Sequence, residues 1–346
     1  MSRLSRLGAL IEEPLLVTKP ANVRYLTGLA DASNAAVLVE PSGEATLYSD
    51  FRYADTGRAL DGIAFVQTSR YVIKSLAQIL GGRAIGFDPD HLTVTSYETL
   101  RGGGLELTAA AGHVEFLRAV KDASEIAAIR SAAALSDQVF EELGADRLVG
   151  RTEREVVWWI ERRFRDLGAE RSSFDTMVGF GSMGARPHGE SREEPIPTGT
   201  MVVVDAGCVV DGYCSDCTRT FLTGDDERLR ELYDLCLRAQ LDGLAAVKPG
   251  AAARDVDATS RVAIGDAGLA ERYGHGLGHG VGIEIHEGPV LRPESTDTLR
   301  AGNVVTVEPG IYFDGDVGVR IEDLVLVTDA EAERLTTVAK DPIVVG

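Results

Sequence analysis

With 346 residues, 44% of them hydrophobic, the chain is long enough for two domains with separate cores. A formal net charge of −19 argues against nucleic acid and anionic membrane surfaces as partners, because both call for clustered Lys and Arg. No segment reaches the roughly twenty consecutive apolar residues of a membrane span. The N-terminal stretch runs into Glu12-Glu13 without a secretory core or cleavage site, so a cytoplasmic address is expected.

In chain order, strand-like runs at 34–40, 45–49 and 63–67 alternate with a helical stretch at 71–80, and Pro41-Ser42-Gly43 reads as a hairpin turn between the first two strands. A domain boundary is expected near residue 115, giving an N-terminal domain 1–115 and a second domain 116–346. Past it, Asp122 and Glu125 form a capping-box pattern that opens a long helix; Thr152 and Glu155 repeat the pattern for a helix that Gly168 ends. The segment 179–184 reads as a glycine-rich loop. Two more helices are expected at 226–247 and 254–267, broken by Lys248-Pro249-Gly250. The order helix-helix-hairpin, helix-helix-strands suggests a doubled α+β unit, although no internal sequence repeat is visible.

Two predicted hairpins carry acids. The run Met201 to Gly207 precedes turn residues Asp211-Gly212 and then Tyr213 to Thr218, which places Asp205 and Asp216 directly or diagonally across a ladder. Glu308 and Glu322 are equidistant from Gly315, so a hairpin centred there brings them together. A single acid beside a turn is usually solvated. Four converging on one pocket repel one another and require cations, and two divalent ions balance four carboxylates.

Between 273 and 289 the chain places three of its six histidines, His275, His279 and His286, among glycines at 274, 276, 278, 280 and 282. The spacing disfavours helix, allows close backbone approach and supplies an imidazole ligand. A phosphate cradle is not supported, since no Lys-Ser/Thr ending and no GxGxxG before a helix is present. His188 taken alone reads as a loop histidine. Arg320, two residues before Glu322 on one strand face, reads as a holder for a bridging carboxylate or a substrate group, or as a surface cation. The four cysteines, 208, 214, 217 and 236, read as buried and reduced.

These motifs resemble the proline-specific metallopeptidases of the pita-bread fold, which include aminopeptidase P and prolidase. The likeness lies in Val204 to Gly207, Tyr213 to Thr220, His275 to Glu287, Val307 to Tyr312 and Val319 to Asp323. It implies an α+β protein: a small creatinase-type α/β N-terminal domain, matched by Asn22 to Leu29, followed by a pita-bread catalytic domain. It also implies that Asp205 chelates one metal, that Asp216 and Glu322 bridge two, and that His279 and Glu308 complete the coordination shell of the second metal. His188 would belong to the substrate pocket. Methionine aminopeptidases keep the pair at 279 and 286 but lack the extra histidine at 275, so His275 points to the proline-specific branch.

Oxygen-rich ligation with one imidazole makes Mn²⁺ the first choice, with Co²⁺ or Zn²⁺ as substitutes. Glu308 would serve as general base, while His275 or His286 stabilises developing negative charge. The implied activity is release of the N-terminal residue from peptides with proline at the second position, an Xaa-Pro aminopeptidase, with Xaa-Pro dipeptidase as the alternative. Ala32-Ser33-Asn34-Ala35 looks more like the aminopeptidase. The resemblance further implies a homodimer. Metal-free scaffolds and creatine-cleaving relatives share the fold but lack the five ligands found here.

Overall fold

The computed structural model describes residues 1–186 and 189–345. It separates into two units, Met1–Arg118 and Ala119–Gly346. The first is built on a six-stranded mixed sheet in the order Ala64–Gln67, Ala45–Ser49, Ala35–Val39, Leu15–Val17, Ala84–Phe87, Glu106–Ala109. Strands Leu15–Val17 and Ala35–Val39 lie in the middle and are buried at every position, which is why they read as continuous apolar runs. Helices Val72–Ile79 and Val94–Gly102 bring Leu76 and Leu100 against Leu16, Leu38 and Ile85. The hairpin turn after Ala35–Val39 is closed by Gly43 at φ 86°. The unit extends to Arg118 because Asn22 holds both ends of the last helix turn: its Nδ2 donates to Glu115 Oε1 at 2.7 Å and its Oδ1 accepts from Arg118 Nη1 at 2.7 Å.

In the second unit both capping boxes form. Asp122 opens Ala123–Gly144 and Thr152 opens Glu153–Asp166, each with a glutamate at the third helical position reaching back to the cap. Replacing Asp122 by Ala is expected to lower the unfolding free energy by about 1 kcal/mol, seen as a lower urea midpoint with an unchanged slope. Asp226 caps the third helix, Glu227–Ala246, and the fourth is Ala253–Asp266.

The strands that follow each helix pair bury one face against it. Phe140 and Phe164 of the first pair pack with Val202, Val204 and Phe221; Tyr233 and Ile264 of the second pair pack with Ile311 and Val319. A three-stranded sheet runs Cys217–Leu222, Met201–Ala206, Met177–Phe180, and a five-stranded sheet runs Glu287–Leu291, Gly278–Gly280, Val304–Val307, Asp323–Val327, Ala332–Arg334. A two-stranded ribbon pairs Gly310–Phe313 with Val317–Arg320. The expected loop at 179–184 is partly strand: Gly179 and Phe180 pair with Val203 and Val202, and a hydrogen-bonded turn follows. Among the described residues, no helix is long and apolar enough to cross a membrane.

Candidate metal centre

The first hairpin turns at Asp211 (φ 50°) and Gly212 (φ 77°), the two positive φ values of a primed turn that suits right-twisted strands. Above it Val210 faces Tyr213, and the ladder continues with Ala206 facing Cys217 and Asp205 facing Thr218. Asp216 is therefore diagonal to Asp205, two positions along and on the same face.

The second hairpin is centred on Gly315, and its pairs run from Phe313 with Val317 to Gly310 with Arg320, then resume at Val307 with Asp323. Glu308 and Glu322 occupy the gap between those two ladder segments, opposite each other. Their backbones are tied elsewhere. Glu322 N donates to Thr218 O at 3.1 Å, joining the two hairpins, and Glu308 N donates to Leu277 O at 2.8 Å, joining the glycine-rich segment.

That segment needs its glycines for proximity. A Cβ on Gly278 would lie 2.1 Å from Thr306 O, so only glycine lets the strand approach closely enough to present His279. His279 Nδ1 donates to Gly280 O at 3.1 Å, and a carbonyl can only accept; the proton sits on Nδ1 and Nε2 faces the acids. Nε2 is 3.2 Å from Glu308 Oε1 and 3.6 Å from Asp216 Oδ2.

Asp216, His279 and Glu322 each offer a ligand atom within 4.8 Å of the other two. Glu308 adjoins them through His279, with Thr306 Oγ1 donating to its Oε1 at 2.9 Å. Thr218 Oγ1 aims Glu322, donating to Oε2 at 2.7 Å. Asp205 borders the group: Arg320 Nη2 donates to its Oδ2 at 2.6 Å, and its Oδ1 is buried without a hydrogen-bond partner among the described residues.

Arg320 thus holds a carboxylate of the set, Asp205, and it is buried rather than a surface cation. It also donates to Thr218 Oγ1 at 3.2 Å and to Tyr312 OH at 3.0 Å. Tyr312 OH meets His275 Nε2 at 2.9 Å, while His275 Nδ1 donates to Gly276 O at 2.8 Å. His286 sets its ring edge-on to His279 with centroids 4.4 Å apart. His188 lies outside the described residues.

The electrostatics are those of crowded, buried acids. Burial, then the charges of neighbouring carboxylates, pushes Asp216 and Glu322 well above the usual carboxylate range. Burial also raises Asp205. Glu308 goes the other way: burial would raise it, but His279, when its ring carries a proton on both nitrogens, holds it at about 2 through a hydrogen bond and its charge. Such a set needs positive charge among its members, and an unpartnered, buried Asp205 oxygen is a ready donor. The donors fit divalent cations of hard or borderline character.

A cavity of about 890 Å³ opens over these residues, with Trp158, Phe174, His286 and Arg292 on its walls. The four cysteines are buried and free. Burial pushes the Cys208 and Cys214 thiols up to about 11 and that of Cys236 to about 12, which leaves them poor ligands and poor nucleophiles.

Residues 127–329 match metallopeptidase family M24, and residues 4–120 match the creatinase/prolidase N-terminal domain. The chain belongs to metallopeptidase family M24. Its fold is accordingly the α+β pita-bread arrangement with a creatinase-type N-terminal domain. It is 36% identical to a solved Xaa-Pro dipeptidase from Bacillus anthracis, with TM-score 0.94 and 99% of each chain covered. It is 33% identical to the Xaa-Pro dipeptidase of Pyrococcus furiosus over 94% of both chains. An X-Pro aminopeptidase from Thermotoga maritima is similar at 29% identity and TM-score 0.89, covering 98% of this chain and 100% of that one.

Three supporting residues of this M24 domain were not singled out by sequence reasoning: Thr218, Thr306 and Tyr312. A signal existed for two of them. Thr218 is two residues after Asp216 and Thr306 two before Glu308, and strand alternation puts such neighbours on one face.

Proposed function

We infer that this M24 enzyme is a dinuclear metal-dependent Xaa-Pro dipeptidase in which Asp205, Asp216, His279, Glu308 and Glu322 hold two divalent cations, Mn²⁺ first among them. The observation that carries this reading is the meeting of acids from two hairpins with one imidazole from a third segment, beneath a cavity of about 890 Å³. Sequence reasoning preferred the aminopeptidase. The similarities favour the dipeptidase, since identity and TM-score are both higher for the Bacillus anthracis protein than for the Thermotoga maritima one.

Divalent cations held by these residues would lower the pKa of the attacking water and polarise the scissile carbonyl. The chain's own part is to aim the donors and move the proton. Thr218 and Thr306 fix one oxygen each of Glu322 and Glu308. Arg320 fixes Asp205, and Tyr312 passes that order on to His275. Glu308 is ionised at neutral pH and accepts the proton of the attacking water. His275 and His286 line the cavity; His275, with both ring nitrogens engaged by Gly276 O and Tyr312 OH, shapes the pocket, and the role of stabilising charge on the carbonyl oxygen falls to His286. His188 is assigned to substrate positioning by the family resemblance. The reading includes a homodimer on the same ground.

Turnover of an Xaa-Pro dipeptide and an Xaa-Pro-Yaa tripeptide, each with added Mn²⁺ and after chelation, tests the substrate class. The dipeptide is expected to turn over at least tenfold faster in kcat/KM, and both rates should vanish on chelation. A faster tripeptide would assign the chain to the aminopeptidases instead.

A further inference from the structure

Directly behind Glu322, on the side away from the cavity, lies a buried guanidinium. Arg219 is 2% exposed, and each of its five N–H donors has an acceptor among the described residues. Nη1 donates to Thr218 O at 2.9 Å and also to Glu322 O. Nη2 donates to Asp323 Oδ1 and to Val338 O, both at 2.8 Å, and Nε donates to Ala339 O at 3.1 Å. One side chain therefore binds the backbone carbonyls of a carboxylate donor and of the threonine that aims it, and couples both to residues 338–339 near the chain's end.

Asp323 extends the connection. Its second oxygen accepts from Lys340 Nζ at 2.7 Å and from Gln240 Nε2 at 3.0 Å, and Lys340 also donates to Gln240 Oε1 at 2.8 Å. The segment is seated further along by Leu222 N donating to Ile343 O at 3.0 Å and by Val345 N donating to Leu222 O at 2.9 Å. None of these side chains lines the cavity. A guanidinium spent only on stabilising the fold would not need its fork on Thr218 and Glu322; this one fixes the separation between the two backbones from which the Thr218 Oγ1 to Glu322 Oε2 bond is made.

We propose that Arg219, with Asp323 and the segment Val338–Lys340, is a positioning clamp for Glu322, so that this distant segment is part of the metal centre's support. The clamp rests on the assignment of Glu322 as a ligand. It acts through that residue and touches neither substrate nor cation. Loosening it shifts ion affinity before it shifts substrate affinity, because the cavity wall that meets the peptide is built from other residues.

The test uses metal-stripped full-length protein in three forms: wild type, Arg219→Lys and Lys340→Met. Co²⁺ is titrated by calorimetry and by its visible absorption, and the stripped proteins are melted alongside. Wild type should take two ions. Arg219→Lys keeps a charge on Asp323 but loses the fork; it should bind the ions roughly 10–100-fold more weakly, with an altered Co²⁺ spectrum and an unchanged KM at saturating metal. Lys340→Met should show a smaller loss of the same sign. Folded Arg219→Lys that binds both ions within twofold of wild type, with the same spectrum, overturns the clamp. Should Arg219→Lys fail to melt cooperatively, Lys340→Met decides by the same criterion. Wild type that takes no Co²⁺ overturns instead the ligand assignment on which the clamp stands.

Discussion

Glu308→Gln is expected to keep its metal and lose turnover by about 10²–10⁴-fold. The amide preserves the shape of the side chain, and its carbonyl oxygen still accepts from Thr306, so the local geometry survives. What disappears is the ability to accept a proton from water. A merely structural glutamate would give the opposite pattern, with a lower melting temperature and near-normal kcat at saturating Mn²⁺. Parallel measurement of kcat, KM and metal content separates the two cases, and wild-type turnover in the variant would remove Glu308 from the role of base.

Asp216→Asn has a second large effect, and its two consequences differ in sign. Asp216 is buried next to His279 and Glu322 and is crowded by the charges of Glu322, Asp205 and Glu308. If Asp216 is a ligand of the proposed cations, losing this charged donor should cost on the order of 4 kcal/mol of transition-state stabilisation, roughly a thousandfold in rate. Without metal the same change removes a repelling acid, so the stripped variant should melt higher than stripped wild type, by about 2–4 °C for each kcal/mol relieved in a domain of this size. A site tuned for cations at the expense of the fold behaves this way. A stripped variant that melts lower would mean that Asp216 is held by favourable contacts rather than strained by its neighbours.

Much of the centre was legible because turn chemistry and strand periodicity are local. Asp211-Gly212 announced a primed turn, and the equal spacing of Glu308 and Glu322 about Gly315 is the register that forms. The capping boxes at Asp122 and Thr152 were legible for the same reason. What escaped depends on contacts between distant segments. Nothing near Arg320 in sequence indicates Asp205 as its partner, 115 residues away, and nothing near Arg219 indicates Val338, 119 residues away.

In the first unit, Leu15–Val17 has three residues, and Ala84–Phe87 and Glu106–Ala109 have four each, too few for alternation to separate strand from loop. Asn34, in the stretch compared with the aminopeptidase, also has partners distant in sequence. Its side chain donates to Asp50 Oδ2 at 2.5 Å and to Arg70 O at 3.3 Å, contacts internal to the N-terminal unit.

The claim on which the rest stands is that the two hairpins and the glycine-rich segment assemble a cage for a pair of cations. Elemental analysis by mass spectrometry of protein stripped with chelator, reloaded with Mn²⁺ and desalted addresses it directly. Two ions per chain, with turnover of an Xaa-Pro dipeptide lost on stripping and regained on reloading, is the predicted result. Protein that retains no Mn²⁺ yet hydrolyses the dipeptide at an undiminished rate would contradict it.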